Sequence, residues 1–283
     1  MILLPTGFYE LAVAPLALVL AFVHARRALG GARAAGELLA LALYGYGLER
    51  AAIAAFAAHE YPSSWRVAPG GVPLAVVLVW AAVISSAMAV AVRRGAARPP
   101  ARAAAAALLA LGVDLAMEPV AVRAGLWRWT PPGAWLGVPL GNFVGWAVIV
   151  GSYTLGAERW AGSGRVGRET LRRAALAVSS VAALLAVGLL WRGVGAEKMF
   201  TPAGAWTAWA GLILGAALAT RGTGACGDQT TLAGRLGASP GRLPGMVLLL
   251  VALPFLVQAL LIADRALILS AATSLAVLLW ASR

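Results

Sequence analysis

Apolar runs of about 20 residues, separated by short stretches that hold Arg, Gly and Pro, recur from one end of this 283-residue chain to the other. A run of that length spans the hydrocarbon core of a bilayer as a helix. Backbone groups in hydrocarbon must be satisfied within their own segment or in a closed barrel, and these Ala/Leu/Val runs lack the alternation of barrel strands. Composition agrees: 61% of residues are apolar and 12% charged, too few charges to cover a water-soluble globule. The chain reads as all-α, a polytopic transmembrane helical bundle forming a single integral membrane domain over 1–283. Breaks at charge clusters and at Gly and Pro predict spans at 8–29, 36–58, 72–92, 102–121, 137–157, 171–191, 203–220, 244–262 and 265–281.

The net charge of +12 invites a nucleic-acid reading, but the basic residues form short clusters between apolar runs and make no basic stripe with interleaved aromatics. Sixteen Lys and Arg fall on odd-numbered connections or the C-terminus, and six on even-numbered ones. That asymmetry predicts an outside N-terminus and an inside C-terminus. No Lys or Arg precedes Arg26, and the first apolar stretch is longer than a typical signal segment, so a retained first helix is expected. One cysteine, Cys226, and two distant histidines, His24 and His59, exclude an internal disulfide and argue against a metal centre.

Two stretches depart from the Ala/Leu background. Each contains Gly-Val-Pro-Leu with a Trp six positions beyond the Leu: Gly71 to Leu74 with Trp80, and Gly137 to Leu140 with Trp146, an offset of 66 residues. An acid lies about 20 residues upstream in each, a polar-aromatic loop follows, and the Pro opens a helix where its missing N–H costs nothing. This pattern reads as a duplicated helical hairpin over 36–92 and 102–157.

Asp114 and Glu118 stand at i and i+4, on one helix face about one turn apart. Intramembrane carboxylates are costly, face the protein interior and mark functional sites. The plainer alternative pairs Asp114 with a polar group on another helix and Glu118 with Arg123 or Arg128. Glu49 is the matching acid of the first hairpin, with Arg50 beside it as a local partner. His59 and Glu60 read as solvated loop residues. Asn142, deep in its span, requires a hydrogen-bond partner. Trp127, Trp129, Tyr61, Trp65 and Trp135 suit either an interfacial belt or aromatic faces for a cation. Trp80, Trp146 and Pro139 are expected to line an apolar cavity or to pack, and Gln258 to face that cavity.

Three segments carry a resemblance: Asp114-x-x-x-Glu118-Pro119, Gly125-Leu126-Trp127-Arg128-Trp129, and Gly137-Val138-Pro139-Leu140-Gly141-Asn142-Phe143-x-Gly145-Trp146. Together they resemble the signature of the carotenoid biosynthesis membrane proteins, the family of carotenoid 1,2-hydratases and archaeal bisanhydrobacterioruberin hydratases. A weaker likeness covers 49–80, where Tyr61-Pro62-Ser63-Ser64-Trp65 departs from the family pattern, as does Glu118 in place of an Asp.

The resemblance implies addition of water across the terminal C1,C2 double bond of an acyclic carotenoid end group, without a cofactor. Asp114 or Glu118 would then donate the proton. The other carboxylate or Asn142 would position the water, with Trp127, Trp129 and Tyr61 around the cation, and Glu49 is counted among the catalytic residues. The implied partners are a carotenoid dissolved in the bilayer, membrane lipids and other carotenoid enzymes, in a bacterial or archaeal cell membrane. Two readings stay open beside it: end-group cyclisation, which shares the cation, and a proton-coupled transporter or lipid-binding scaffold.

Overall fold

A computed structural model describes residues 4–57, 59–93, 98–159, 166–199, 201, 203–204, 207–208, 210–211, 214 and 231–282. Most of the expected span 203–220 lies outside these residues, as do Cys226, Asp228 and Gln229. The chain forms α1 (Thr6–Leu29), α2 (Gly31–Phe56), α3 (Leu74–Arg93), α4 (Pro99–Ala124), α5 (Leu140–Arg159), α6 (Val166–Gly193), α7 (Leu232–Ala238), α8 (Leu243–Ile262) and α9 (Arg265–Ser282). Among the described residues seven helices, all but α7 and α9, are long and apolar enough to cross a membrane. The only named strands there are β1 (His59–Glu60) and β2 (Arg128–Trp129). The protein is an all-α polytopic membrane bundle.

Every expected span except 203–220 is a helix whose ends fall within about five residues of expectation. The largest discrepancies are early starts. Gly31 and Arg33 look like a connection ahead of the expected start at 36, yet α2 begins at Gly31. Glu37 is buried there and binds Arg172 Nη2 at 2.5 Å and Arg173 Nε at 3.0 Å. Gly36 makes room for this cluster, since a Cβ would stand 3.2 Å from the Arg173 guanidinium. Likewise Arg102, placed at a helix end by the sequence, is buried in α4 and binds Glu158 of α5 at 2.7 Å.

The centre of the bundle is α3 and α4, buried over 83% and 89% of their apolar windows, against 17–50% for the other spans. Helix α3 packs on α1, α2, α7 and α8, and α4 on α5, α8 and α9, while α3 and α4 also touch each other. Their seams are built of small residues, including the fully buried Ala81, Ala82, Ala105 and Ala106. With no hydrophobic force between helices in lipid, such close approach supplies the packing that holds them together.

Helices α3 and α5 both begin at the Leu of Gly-Val-Pro-Leu and both run 20 residues. The preceding glycines turn the chain with φ of 84° at Gly71 and 92° at Gly137, a region that a side chain disfavours. Trp80 and Trp146 then meet face to face, with ring centroids 3.9 Å apart and planes inclined by 17°.

Candidate functional site

The loops 57–73 and 125–139 lie at the same end of the bundle, joined by antiparallel pairing of β1 with β2, His59 opposite Trp129 and Glu60 opposite Arg128. On the exposed rim Arg128 pairs with Glu60. The Trp65 indole donates to the Leu126 carbonyl at 2.9 Å, tying the first loop to the second. The backbone N–H groups of Arg66 and Val67 donate to Glu10 Oε1 at 2.8 and 3.1 Å, tying the first loop to α1.

Beneath these loops sit two carboxylates, one from each hairpin. Glu49 of α2 accepts three hydrogen bonds: Trp80 Nε1 to Oε1 at 2.8 Å, and Tyr61 OH and His59 Nε2 to Oε2, each at 3.0 Å. Glu118 of α4 accepts both indoles of its own loop on one oxygen, Trp127 Nε1 at 2.9 Å and Trp129 Nε1 at 3.0 Å to Oε2. Among the described residues Oε1 of Glu118 takes no hydrogen bond, and no ion pair reaches this side chain. Two aromatic contacts bridge the carboxylates: His59 lies 4.9 Å from the Trp129 ring, and Tyr61 lies 6.0 Å from Trp127.

Pro119 contributes to this placement. It leaves the Leu115 carbonyl without its i+4 amide, and Ser270 of α9 donates to that oxygen at 2.8 Å. The break in the helical ladder beside Glu118 is thereby satisfied from a neighbouring helix. Asp114, one turn away and fully buried, turns to α5, where Asn142 Nδ2 donates to Oδ2 at 3.0 Å. Replacing Asn142 with Ala removes that donor from a buried acid and is expected to cost about 1–3 kcal/mol of stability. Thermal unfolding of the variant in detergent micelles checks this.

A cavity of about 380 Å³ opens between the carboxylates, within the size range of small-molecule sites. Glu49, Glu118, Asn142, Pro139, Tyr61, Trp65, Trp80, Trp127, Trp129 and Trp146 all line it. Asp114 is not among the lining residues and reaches the cavity only through Asn142. The local ion pairs weighed for the acids do not form: Arg123 pairs with Asp264, Arg128 with Glu60, and Arg50 donates to the Gly70 carbonyl. Trp65, Trp127 and Trp135 are buried within the protein instead of forming a surface belt. Gln258 lies outside the cavity lining, fully buried, and accepts the Leu4 backbone N–H at 2.6 Å.

His59, Glu197 and Trp191 are among the lining residues that the sequence reading missed. His59 is no solvated loop residue: its side chain is 8% exposed. Burial works against its imidazolium, but the hydrogen bond and charge of Glu49 hold it above its ordinary value. Burial and the charge of Glu49 raise the Tyr61 phenol well above its own. Glu197 and Trp191 close another wall: Glu197 accepts the N–H groups of Leu140 and Gly141 at 2.8 and 3.0 Å, capping α5, and the Trp191 indole at 3.2 Å. Nothing near Glu197 in sequence signals a cap on a helix that begins 57 residues earlier.

Fold and site together define a membrane-embedded protein with two carboxylates facing an aromatic, apolar cavity. A family model described as carotenoid biosynthesis protein matches residues 9–218. The chain belongs to this family of carotenoid biosynthesis proteins. No curated protein and no solved structure matches it.

Proposed function

We propose that this protein is a cofactor-independent hydratase that adds water across the terminal C1,C2 double bond of an acyclic carotenoid end group. The observation that carries the reading is the convergence of Glu49 and Glu118, from two different hairpins, on one apolar cavity with His59, Tyr61, Trp127 and Trp129 between them. We take those hairpins, 36–92 and 102–157, as a duplication.

The division of labour follows from the partners of each acid. A neutral carboxylic acid accepts hydrogen bonds on its carbonyl oxygen and keeps a proton on the other. Glu118 has both indoles on Oε2 and a free Oε1, so it is the donor. Its proton goes to C2, the double-bond electrons form the new C–H bond, and C1 becomes a tertiary cation. The Trp127 and Trp129 rings, held beside the acid by their own N–H groups, present π faces to that cation. Water bonds to C1 through oxygen and gives its surplus proton to Glu49, held as an anion by Trp80, Tyr61 and protonated His59. One proton is spent and one recovered, and no electron leaves the substrate. Asp114 acts through Asn142, which it holds against the cavity wall. The asymmetry of basic residues puts the site at the outer leaflet of the cell membrane, with the N-terminus outside and the C-terminus inside.

Cells that make lycopene or γ-carotene, with and without this chain, test the proposal by chromatography and mass spectrometry of their pigments. The expected product is heavier than its precursor by one water. An isomer of unchanged mass and shorter chromophore means cyclisation, and unchanged pigments overturn the hydratase reading for these substrates.

The pH dependence follows from His59. Its value in the folded protein lies above the ordinary imidazole value. The imidazolium–Glu49 pair is therefore complete below the ordinary imidazole value and is lost as pH rises through the elevated one. Turnover is expected to fall on that alkaline limb, and His59→Gln to shift the limb, leaving only the fall set by deprotonation of the acid Glu118. An unchanged profile in the variant excludes His59 from the mechanism.

A further inference from the structure

The cavity is confined to one end of the bundle. Its lining residues reach no deeper than Ala14 on α1, Leu48 on α2, Trp80 on α3, Met117 on α4, Ile149 on α5, Leu184 on α6 and Val251 on α8. From Leu74 at the start of α3 to Trp80 is about 9 Å of helix at 1.5 Å per residue. Trp80 is the deepest lining residue of α3, and Trp146 stacks on it just above Ile149, the deepest of α5. Just below, the Tyr44 hydroxyl donates to the Ile149 carbonyl at 3.5 Å, and Tyr44 packs against Tyr153 with ring centroids 5.2 Å apart. Both tyrosines are buried, so the core between α2 and α5 is closed beneath the tryptophans.

This floor is specifically accommodated. Trp80 lies flat against α2 because residue 45 is Gly, where a Cβ would fall 2.6 Å from the Trp80 Cβ. The same Trp80 donates its N–H to Glu49 at 2.8 Å. The floor and one of the two carboxylates are therefore mechanically one unit and lie at one depth.

An extended carotenoid is about as long as the hydrocarbon core is thick, ~30 Å, and a cavity of about 380 Å³ holds only its terminus. We infer that the Trp80–Trp146 pair is a depth stop and that the protein reads a single acyclic end group, blind to the far end of the molecule. The terminal double bond halts level with Glu49 and Glu118 because the indole stack blocks further insertion, while the polyene runs out into lipid. A carotenoid with two acyclic ends is then processed one end at a time, as two independent encounters. The statement about turnover rests on the hydratase reading; the statement about binding does not.

The test uses the full chain in lipid nanodiscs, with binding followed by quenching of tryptophan fluorescence and product measured in the same samples. The probes are lycopene, γ-carotene, which shares one acyclic end and carries a ring at the other, and β-carotene, ringed at both ends. Lycopene and γ-carotene are expected to bind alike, apart from the statistical factor for the number of acyclic ends. β-Carotene is expected to bind about tenfold more weakly or worse, the discrimination an apolar pocket provides.

Trp146→Ala removes the stop without touching the Glu49 hydrogen bonds. Its kcat is expected to fall about a hundredfold, the cost of misplacing a reacting atom by an ångström, with a much smaller change in lycopene affinity; Trp146→Phe is expected to fall between. A variant that merely misfolds loses binding along with turnover. Affinity that follows the far end, or wild-type kcat in Trp146→Ala, overturns the inference. If the wild-type chain binds acyclic ends selectively and forms no hydrated product, the hydratase reading fails and end-group recognition stands.

Discussion

Glu118→Gln is expected to give a folded protein that still takes up carotenoid and whose hydration rate is down by about a hundredfold to ten-thousandfold, the usual share of a positioned general acid. The amide fills the same volume, and its carbonyl oxygen still accepts the Trp127 and Trp129 indoles that bind Glu118 at 2.9 and 3.0 Å. It has no proton to release to C2. Asp114→Asn is the informative comparison, because Asp114 touches the cavity only through Asn142. Its turnover is expected to fall less than that of Glu118→Gln. Pigment conversion by the two variants at matched protein levels decides between the acids, and the reverse order would make Asp114 the donor.

The largest stability effect is expected far from the site. Arg102→Leu strips the guanidinium from Glu158, which is 5% exposed and bound at 2.7 Å. Leaving one buried charge uncompensated costs about 3–5 kcal/mol. The double replacement Arg102→Leu with Glu158→Leu is expected to recover most of that loss, since two apolar side chains carry no desolvation cost. Unfolding of the three proteins in detergent micelles measures both steps. Full stability of the single variant would mean that water reaches Glu158 once the arginine is gone.

The helices were legible because a bilayer-spanning run needs little else to declare itself. The ends were less so: Gly31 and Arg33 carry loop chemistry ahead of the expected start at 36, yet α2 begins at Gly31, and just inside it Glu37 is received by Arg172 and Arg173, more than 130 positions away. Spacing put Asp114 and Glu118 on one face, and both are buried in the bundle. Spacing did not say that one rise of a helical turn separates a residue facing the indoles from one facing Asn142. His59 was the largest omission. Beside a charged residue at a helix end it resembles any solvated histidine, and its burial depends on a two-residue ladder with Arg128 and Trp129 from the other hairpin. Such pairing leaves no periodicity to read. The same holds for Glu197, whose cap on α5 joins segments that share no local pattern.

The ladder between His59 and Trp129 also bears on how the protein is made. During synthesis the first hairpin leaves the ribosome with Glu49, His59, Tyr61 and Trp80 already on it. Their rings find their partners, Trp129, Trp127 and Trp146, only after a further 66 to 70 residues have been added. A nascent chain halted between the hairpins therefore carries one acid and half a set of aromatic walls. The two acids and their aromatic partners are brought together in a single step, when the second hairpin inserts and the two loops zip together.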